Sequence, residues 1–263
     1  MLKRIAPVFA VLILCSCISI GNSGSGEAAS VSSEEINVDM DYWITPPKSN
    51  ELVVIGVSGL QTKREAEITN AREDAARKVS MYYGVQADTA SVQSIGSNFL
   101  AVFADSEITV EYDRQTDQYI DQLNFDPDRD VFIRKNAVFI RFTYPAAFPG
   151  NINYTFGKNS NGSPKWTTSP PHEIGGFMAG VGFSRRQERI RDTLIKSSES
   201  AVASIISRLS SSVDAGEVST FTQGASYVRH QSSGRLTNFT VLEIWIDPAT
   251  ENVWTLAVAQ SAQ

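Results

Sequence analysis

The chain has 263 residues, 42% hydrophobic and 10% aromatic, a composition that supports a packed core over most of its length. Its 23 Lys and Arg against 29 Asp and Glu give a formal charge of −6, which argues against nucleic acid as a main partner, because neutralising phosphates takes a basic surface. With two Cys and two His there is neither a disulfide framework nor a Cys/His zinc site, so no metal and no cofactor is expected.

The first residues read as an address. Lys3 and Arg4 form a basic start, and Ile5 to Leu14 is apolar apart from one proline. This run is too short for a hydrocarbon core that needs ~20 apolar residues, so it fits the hydrophobic part of a secretory signal over residues 1–16. Leu14-Cys15-Ser16-Cys17 resembles the bacterial lipobox, with Cys17 as the acylated residue and new N-terminus. Loss of Lys3 and Arg4 would take the charge from −6 to −8. Ile18, rather than Asp, at the next position resembles the sorting pattern of outer-membrane lipoproteins.

Residues 17–40 read as a lipidated tether. Residues 18–33 hold nine Gly or Ser and a single charge, Glu27, too little apolar surface to offset the entropy of ordering. No later apolar run approaches transmembrane length.

The remainder reads as one unit written twice. Trp43, Pro46-Pro47 and Gly56-Val-Ser-Gly59 match Trp166, Pro170-Pro171 and Gly180-Val-Gly182 in order, with the same spacing from Pro-Pro to Gly-Val. A short apolar run precedes each first glycine, and the glycines read as tight strand-to-helix turns at positive φ. Helices follow, with stripes of Ile68, Ala71, Ala75, Val79 and Tyr82, then Ile190, Leu194, Ala201, Ile205 and Leu209, stopping at Gly84 and Ser210–Ser212. Thr240–Ile246 and Val253–Ala259 predict a hairpin around 247–252, and Val138, Ile140, Phe142 and Tyr144 predict a strand. The expected fold is α+β: two tandem strand–helix–strands domains, 41–149 and 165–263. Each is a small, mostly antiparallel sheet packed on one amphipathic helix, and an Asn-, Gly- and Ser-rich linker at 150–164 joins them.

Trp, Pro-Pro, apolar strand, Gly-x-Gly, Ala-rich helix and terminal hairpin resemble the LPP-twenty lipoprotein family, as two tandem copies. The unit is also similar to the N-terminal module of flagellar assembly protein T. Glu243-Ile-Trp245-Ile-Asp247 with Val253–Val258 carries the closest local likeness, whereas the Phe99–Asn124 insert has no counterpart. The resemblance implies a bacterial envelope lipoprotein and brings no catalytic residues.

The polar residues offer little chemistry. The glycine turns lack a following Gly-Lys-Ser/Thr, His172 and His230 lack motif-spaced partners, and Asp126-Pro-Asp-Arg-Asp130 lacks the glycine and glutamate of a calcium loop. Arg185, Arg186, Arg189 and Arg191 are the unexpected feature, a basic cluster at the start of the second helix, where cations oppose the helix dipole. They read as a binding surface for anionic lipid, cell-wall carboxylates or an acidic partner, or as a solvated face paired with Glu188 and Asp192. The sequence therefore points to a non-catalytic structural or assembly component anchored by lipid to the outer membrane, facing the periplasm or the surface. A cell-wall or glycan-binding module is the alternative, and a hydrolase the least supported. Envelope proteins or the cell wall are the expected partners, and self-association stays open.

Overall fold

A computed structural model of the protein describes residues 42–94, 107–213 and 227–262, except Ser49 and Lys135. The signal run, Cys17 and the tether lie outside the described residues. The elements run β1 (Tyr42–Ile44), β2 (Leu52–Gly59), α1 (Arg64–Tyr83), β3 (Val85–Ser94), β4 (Glu107–Tyr112), α2 (Asp117–Ile120), β5 (Val131–Arg134) and β6 (Ala137–Tyr144). Then come β7 (Glu173–Ile174), β8 (Phe177–Ser184), α3 (Ile190–Val213), β9 (Tyr227–Ile246) and β10 (Val253–Ser261). The fold is α+β, with antiparallel sheets packed on helices.

Each half carries the same core topology. The first half orders its strands β2-β6-β5 and the second β8-β10-β9, so the last strand lies between the other two. Alternation explains both faces of β6: Val138, Ile140, Phe142 and Tyr144 bury against Ala71, Ala75, Val79 and Tyr82 of α1. Ala137 and Phe139 turn to the opposite side, where Trp43 stacks on Phe139 with ring centroids 5.3 Å apart. In the second half Ala201, Val202, Ile205 and Ile206 of α3 pack on Leu236, Ala257 and Ala259. Burying an aliphatic or aromatic side chain of this size is worth about 1.5–3 kcal/mol, so each of these helix–sheet faces contributes strongly to holding the fold.

The hydrogen bonds of the two halves correspond pair by pair at a constant interval. The amide of Val57 donates to Asp74 Oδ2 at 3.1 Å, and that of Phe183 to Ser200 Oγ at 3.3 Å. Gln61 donates to Glu67 Oε1 at 2.9 Å, and Gln187 to Thr193 Oγ1 at 3.0 Å. Ser58 Oγ donates to the Gly59 carbonyl, and Ser184 Oγ to that of Arg185. A Cβ on Gly56 would lie 2.0 Å from the Ala71 carbonyl oxygen, and one on Gly182 would lie 1.9 Å from that of Ser197. Gly56 therefore answers Gly182, two residues beyond the Gly180 that the Pro-Pro spacing suggests. These glycines lie inside strands, and among the described residues the positive-φ glycines are Gly162, Gly175 and Gly176. Glycine is needed at Gly56 and Gly182 because the helix backbone passes too close for any side chain.

Several expectations change. The halves do not form separate domains: Val38–Gln263 is one compact unit, and first-half strands β1 and β3 both pair with β9 of the second half. β3 lies along Tyr227–Leu236 and β1 along Glu243–Trp245, which stitches the halves through one ladder. Residues 150–164 are not a free linker, because Ile152 is buried and Tyr154 and Phe156 pack beside it on the face of β8–β10 that α3 leaves bare. Trp43 and Trp166 are not equivalent: the first sits in β1 and the second in a 3-10 turn, Lys165–Thr167.

Two buried carboxylates occupy matching places. Asp130 and Glu243 each precede the strand residue in the row of Gly56 and Gly182 respectively, and each is nearly inaccessible, at 3% and 2% exposure. Asp130 receives Arg141 Nε at 2.9 Å and the Asp126 amide at 2.9 Å. Glu243 receives the Tyr42 hydroxyl and Trp166 Nε1, so it joins β1 and the 3-10 turn to β9.

Candidate functional site

Both strand-to-helix turns, 60–63 and 185–189, emerge at the same end of the molecule. Between them lies a cleft of ≈ 470 Å³ lined by Gly59 at the end of β2, by Leu60 and Gln61 of one turn, by Arg189 of the other, by Arg191 and Asp192 at the start of α3, and by Asn136. A second cleft of ≈ 350 Å³ shares Asn136 and Ile190 and is lined by Arg134, Arg186 and Gln187 together with Pro248 and Glu251 of the β9–β10 turn. The duplicated turns thus abut across a paired concavity of mixed charge, in which Arg134, Arg186, Arg189 and Arg191 stand beside Glu188, Asp192 and Glu251.

The sequence cluster divides between these clefts. Arg186 lines one, Arg189 and Arg191 line the other, and Arg185 lines neither. Arg185, Arg186 and Arg189 are exposed in the turn that precedes α3, while Arg191 is half-buried in its first turn. Arg186 is oriented from outside its own helix: it pairs with Glu251 at 3.0 Å, and its amide donates to Asn252 Oδ1 at 3.0 Å. Those partners are presented by a turn closed by Asp247, which accepts the Ala249 amide at 2.9 Å. Burial pushes the Asp247 carboxyl up, but Thr250 and the turn amides outweigh it and hold the group below its ordinary value. Glu251 adopts positive φ, +59°, in this turn. Arg191 Nε is buried with no hydrogen-bond partner.

Sequence reasoning missed Arg134, Asn136 and Leu60. Asn136 lines both clefts, and its carbonyl accepts the Leu60 amide at 3.2 Å. Among the other residues singled out, exposed His172 contributes its backbone carbonyl to the Ala179 amide, and Asp126 closes its own loop by accepting the Asp128 amide at 3.0 Å. The exposed guanidinium groups of Arg185 and Arg189 can bond carboxylates or phosphates, and the carboxylates beside them can bond cationic groups, so the concavity suits a partner with charges of both signs.

Comparisons with protein-family models, with curated proteins and with solved structures find no match for this chain.

Proposed function

We propose that the protein is a lipid-anchored component of a bacterial outer membrane, of the LPP-twenty type, that works by association as a structural or assembly element. The observation that supports this reading best is the meeting of the two duplicated turns in a double cleft lined by both arginines and carboxylates, a surface suited to docking a polar protein partner. The lipobox at Leu14–Cys17 supports the anchor. Several acyl chains give lasting attachment where one would not. Mass spectrometry of the mature protein should find Cys17 as the first residue, carrying acyl mass, and Cys17→Ser should release the chain from the membrane fraction. A mature chain that starts elsewhere overturns the anchor.

One observation favours the alternative of a cell-wall glycan-binding module. Tyr83 is 49% exposed and stacks on Tyr119 with ring centroids 5.5 Å apart, a platform of the kind on which sugar faces pack. Pulldown separates the two readings. Envelope proteins retained through the arginine end support the assembly role, and sedimentation with purified peptidoglycan that is lost in Tyr83→Ala supports the glycan role.

A further inference from the structure

We propose that Phe183, Trp254, Trp245 and Tyr42 form a linear binding site for a β-1,4-linked glycan strand of the cell wall. The inference rests on the glycan-binding alternative and gives it a site apart from the Tyr83–Tyr119 platform.

The four side chains stand in one row across four strands. Trp254 of β10 lies opposite Phe183 of β8 and opposite Trp245 of β9, and Trp245 lies opposite Tyr42 of β1. Residues directly opposite one another share a face of the sheet, so all four rings belong to the same face. On the other face their neighbours Trp43, Ser184, Ile246 and Val253 are buried, whereas each of the four aromatic residues is half-buried. Trp245 and Trp254 rest on the core from one side, and the rings of Phe183 and Trp254 meet with centroids 4.6 Å apart at 52°. The rings are thus held in place before any ligand arrives, which lowers the cost of ordering them on binding.

The size of this strip selects the class of occupant. Four strands ~4.8 Å apart make the row about 14 Å long, and alternate residues ~7 Å apart along each strand limit its width. On one side Val181, Leu256 and Glu243 are buried, with Trp166 bonded to the Glu243 carboxylate. On the other side stand Arg185, Asn252 and Asp247, and the Asp247 amide still pairs with the Asn252 carbonyl at 2.9 Å. Ile44, 57% exposed, adds one apolar side chain beside Tyr42. Even so the strip offers on the order of 100 Å², against about 800 Å² on each side of an ordinary protein interface. It is too narrow for a folded partner and suits an extended chain of rings. The step from one strand to the next is close to the length of one hexose in a β-1,4-linked chain, so successive sugars meet successive aromatic side chains.

The flanking groups match the rest of a sugar. The C–H face of a hexose packs on aromatic rings, while its hydroxyl and acetamido groups need donors and acceptors at the rim. Exposed Arg185 supplies donors, and half-buried Asn252 and Asp247 supply amide and carboxylate groups. Lys158 closes the Tyr42 end, with Nζ 5.4 Å from the ring centroid, where its ammonium can donate to a sugar oxygen.

The test uses the chain from Ile18 onward, which carries the whole compact unit and no acyl group. The probe is the β-1,4-linked hexamer of N-acetylglucosamine, with affinity read by calorimetry. Trp43 and Trp166 are buried, so acrylamide quenching of tryptophan fluorescence reports chiefly on Trp245 and Trp254. The hexamer should lower that quenching at least about twofold and bind at least about tenfold more tightly than the dimer, which covers only part of the row. Trp254→Leu keeps an apolar side chain but removes the ring, and should weaken hexamer binding about tenfold or more. If that variant does not melt cooperatively, Phe183→Leu is read in its place. Tyr83→Ala should change the affinity less than about twofold. Wild-type protein that neither binds the hexamer nor gains protection from acrylamide overturns the proposal, as does undiminished binding in the leucine variant. Equal loss in Tyr83→Ala places the glycan on the Tyr83–Tyr119 platform and overturns the row. Protection by phosphatidylcholine vesicles instead of the hexamer would mark an aromatic belt at a membrane interface and overturn it too. Sedimentation with peptidoglycan that persists while the hexamer gives no protection removes this site and leaves the glycan-binding reading standing.

Discussion

Asp130 and Glu243 show how one position in a repeated unit is pushed in opposite directions by its neighbours. Burial raises both carboxyls. At Asp130 the Asp126 amide and the Arg141 guanidinium outweigh burial and hold the group below its ordinary value. At Glu243 burial prevails, because Tyr42, Trp166 and Tyr154 offer hydrogen bonds but no positive charge. The stability signs follow from linkage. Glu243 favours the fold fully below its unfolded value, and that contribution is lost as pH rises through its raised folded value. Asp130 favours the fold above its unfolded value, and loses that contribution as pH falls through its lowered one. In urea unfolding between about pH 3 and about pH 7, Glu243→Gln should flatten the loss on the alkaline side, and Asp130→Asn should flatten the loss on the acid side. A profile unchanged in both variants would remove these groups from the pH dependence. Glu243→Ala should cost about 1–3 kcal/mol for each donor it strands among Tyr42 and Trp166. Glu243 lies in the segment that most resembles the lipoprotein family, but nothing in that local pattern says that the carboxylate fastens three distant segments. Tyr42, Tyr154 and Trp166 are brought to it by pairing that spans most of the chain.

At the scale of elements, the repeat was legible because strand, helix and hairpin each obey a short-range pattern. The apolar stripes of α1 and α3 and the alternation in β6 and β10 are local consequences of one-sided burial, and they appear in the structure where periodicity predicts them. Register was less legible. Pro-Pro to Gly-Val spacing aligns Gly56 with Gly180, whereas contact with the helix aligns it with Gly182. Both Gly180 and Gly182 lie under α3, so sequence offers two equally good choices and only the helix carbonyl decides. Gly56→Ala and Gly182→Ala should each destabilise by about 1–3 kcal/mol or more, since strand or helix must shift to admit the methyl group. Gly59→Ala is the control: nothing lies within 4 Å of its Cβ position, so its change should stay within about 0.5 kcal/mol. Thermal melts of the three variants decide the matter, and an unaffected Gly182→Ala would overturn the pairing with Gly56. The candidate clefts were half legible for a related reason. Four arginines close in sequence are visible as a cluster, but Leu60, Arg134 and Asn136 reach them only because two turns from different halves end side by side.

At the scale of the molecule, the halves depend on each other. Without the first half, β9 would lose β3 along Tyr227–Leu236 and β1 along Glu243–Trp245, and Leu242, Leu256 and Val258 would lose the cover of Phe148 and Ile152. Residues 38–263 should therefore unfold in a single transition, with near-ultraviolet and far-ultraviolet circular dichroism coincident. A fragment of residues 165–263 should show no cooperative melt, and one that melts sharply would restore the picture of two independent domains. The place of β1 has a mechanical consequence. Any pull transmitted through the chain ahead of Tyr42 is applied along the axis of β1, antiparallel to its neighbour. Its three paired residues and the Thr45 amide bonded to the Leu242 carbonyl are then strained in shear, together rather than one after another. Behind them Trp43, wedged between Phe132 and Phe139, must be drawn from the core before the strand can slide. The three-residue strand at the start of the described chain is in this way a built-in anchor bolt, resisting tension with an interlocked side chain where its length alone could not.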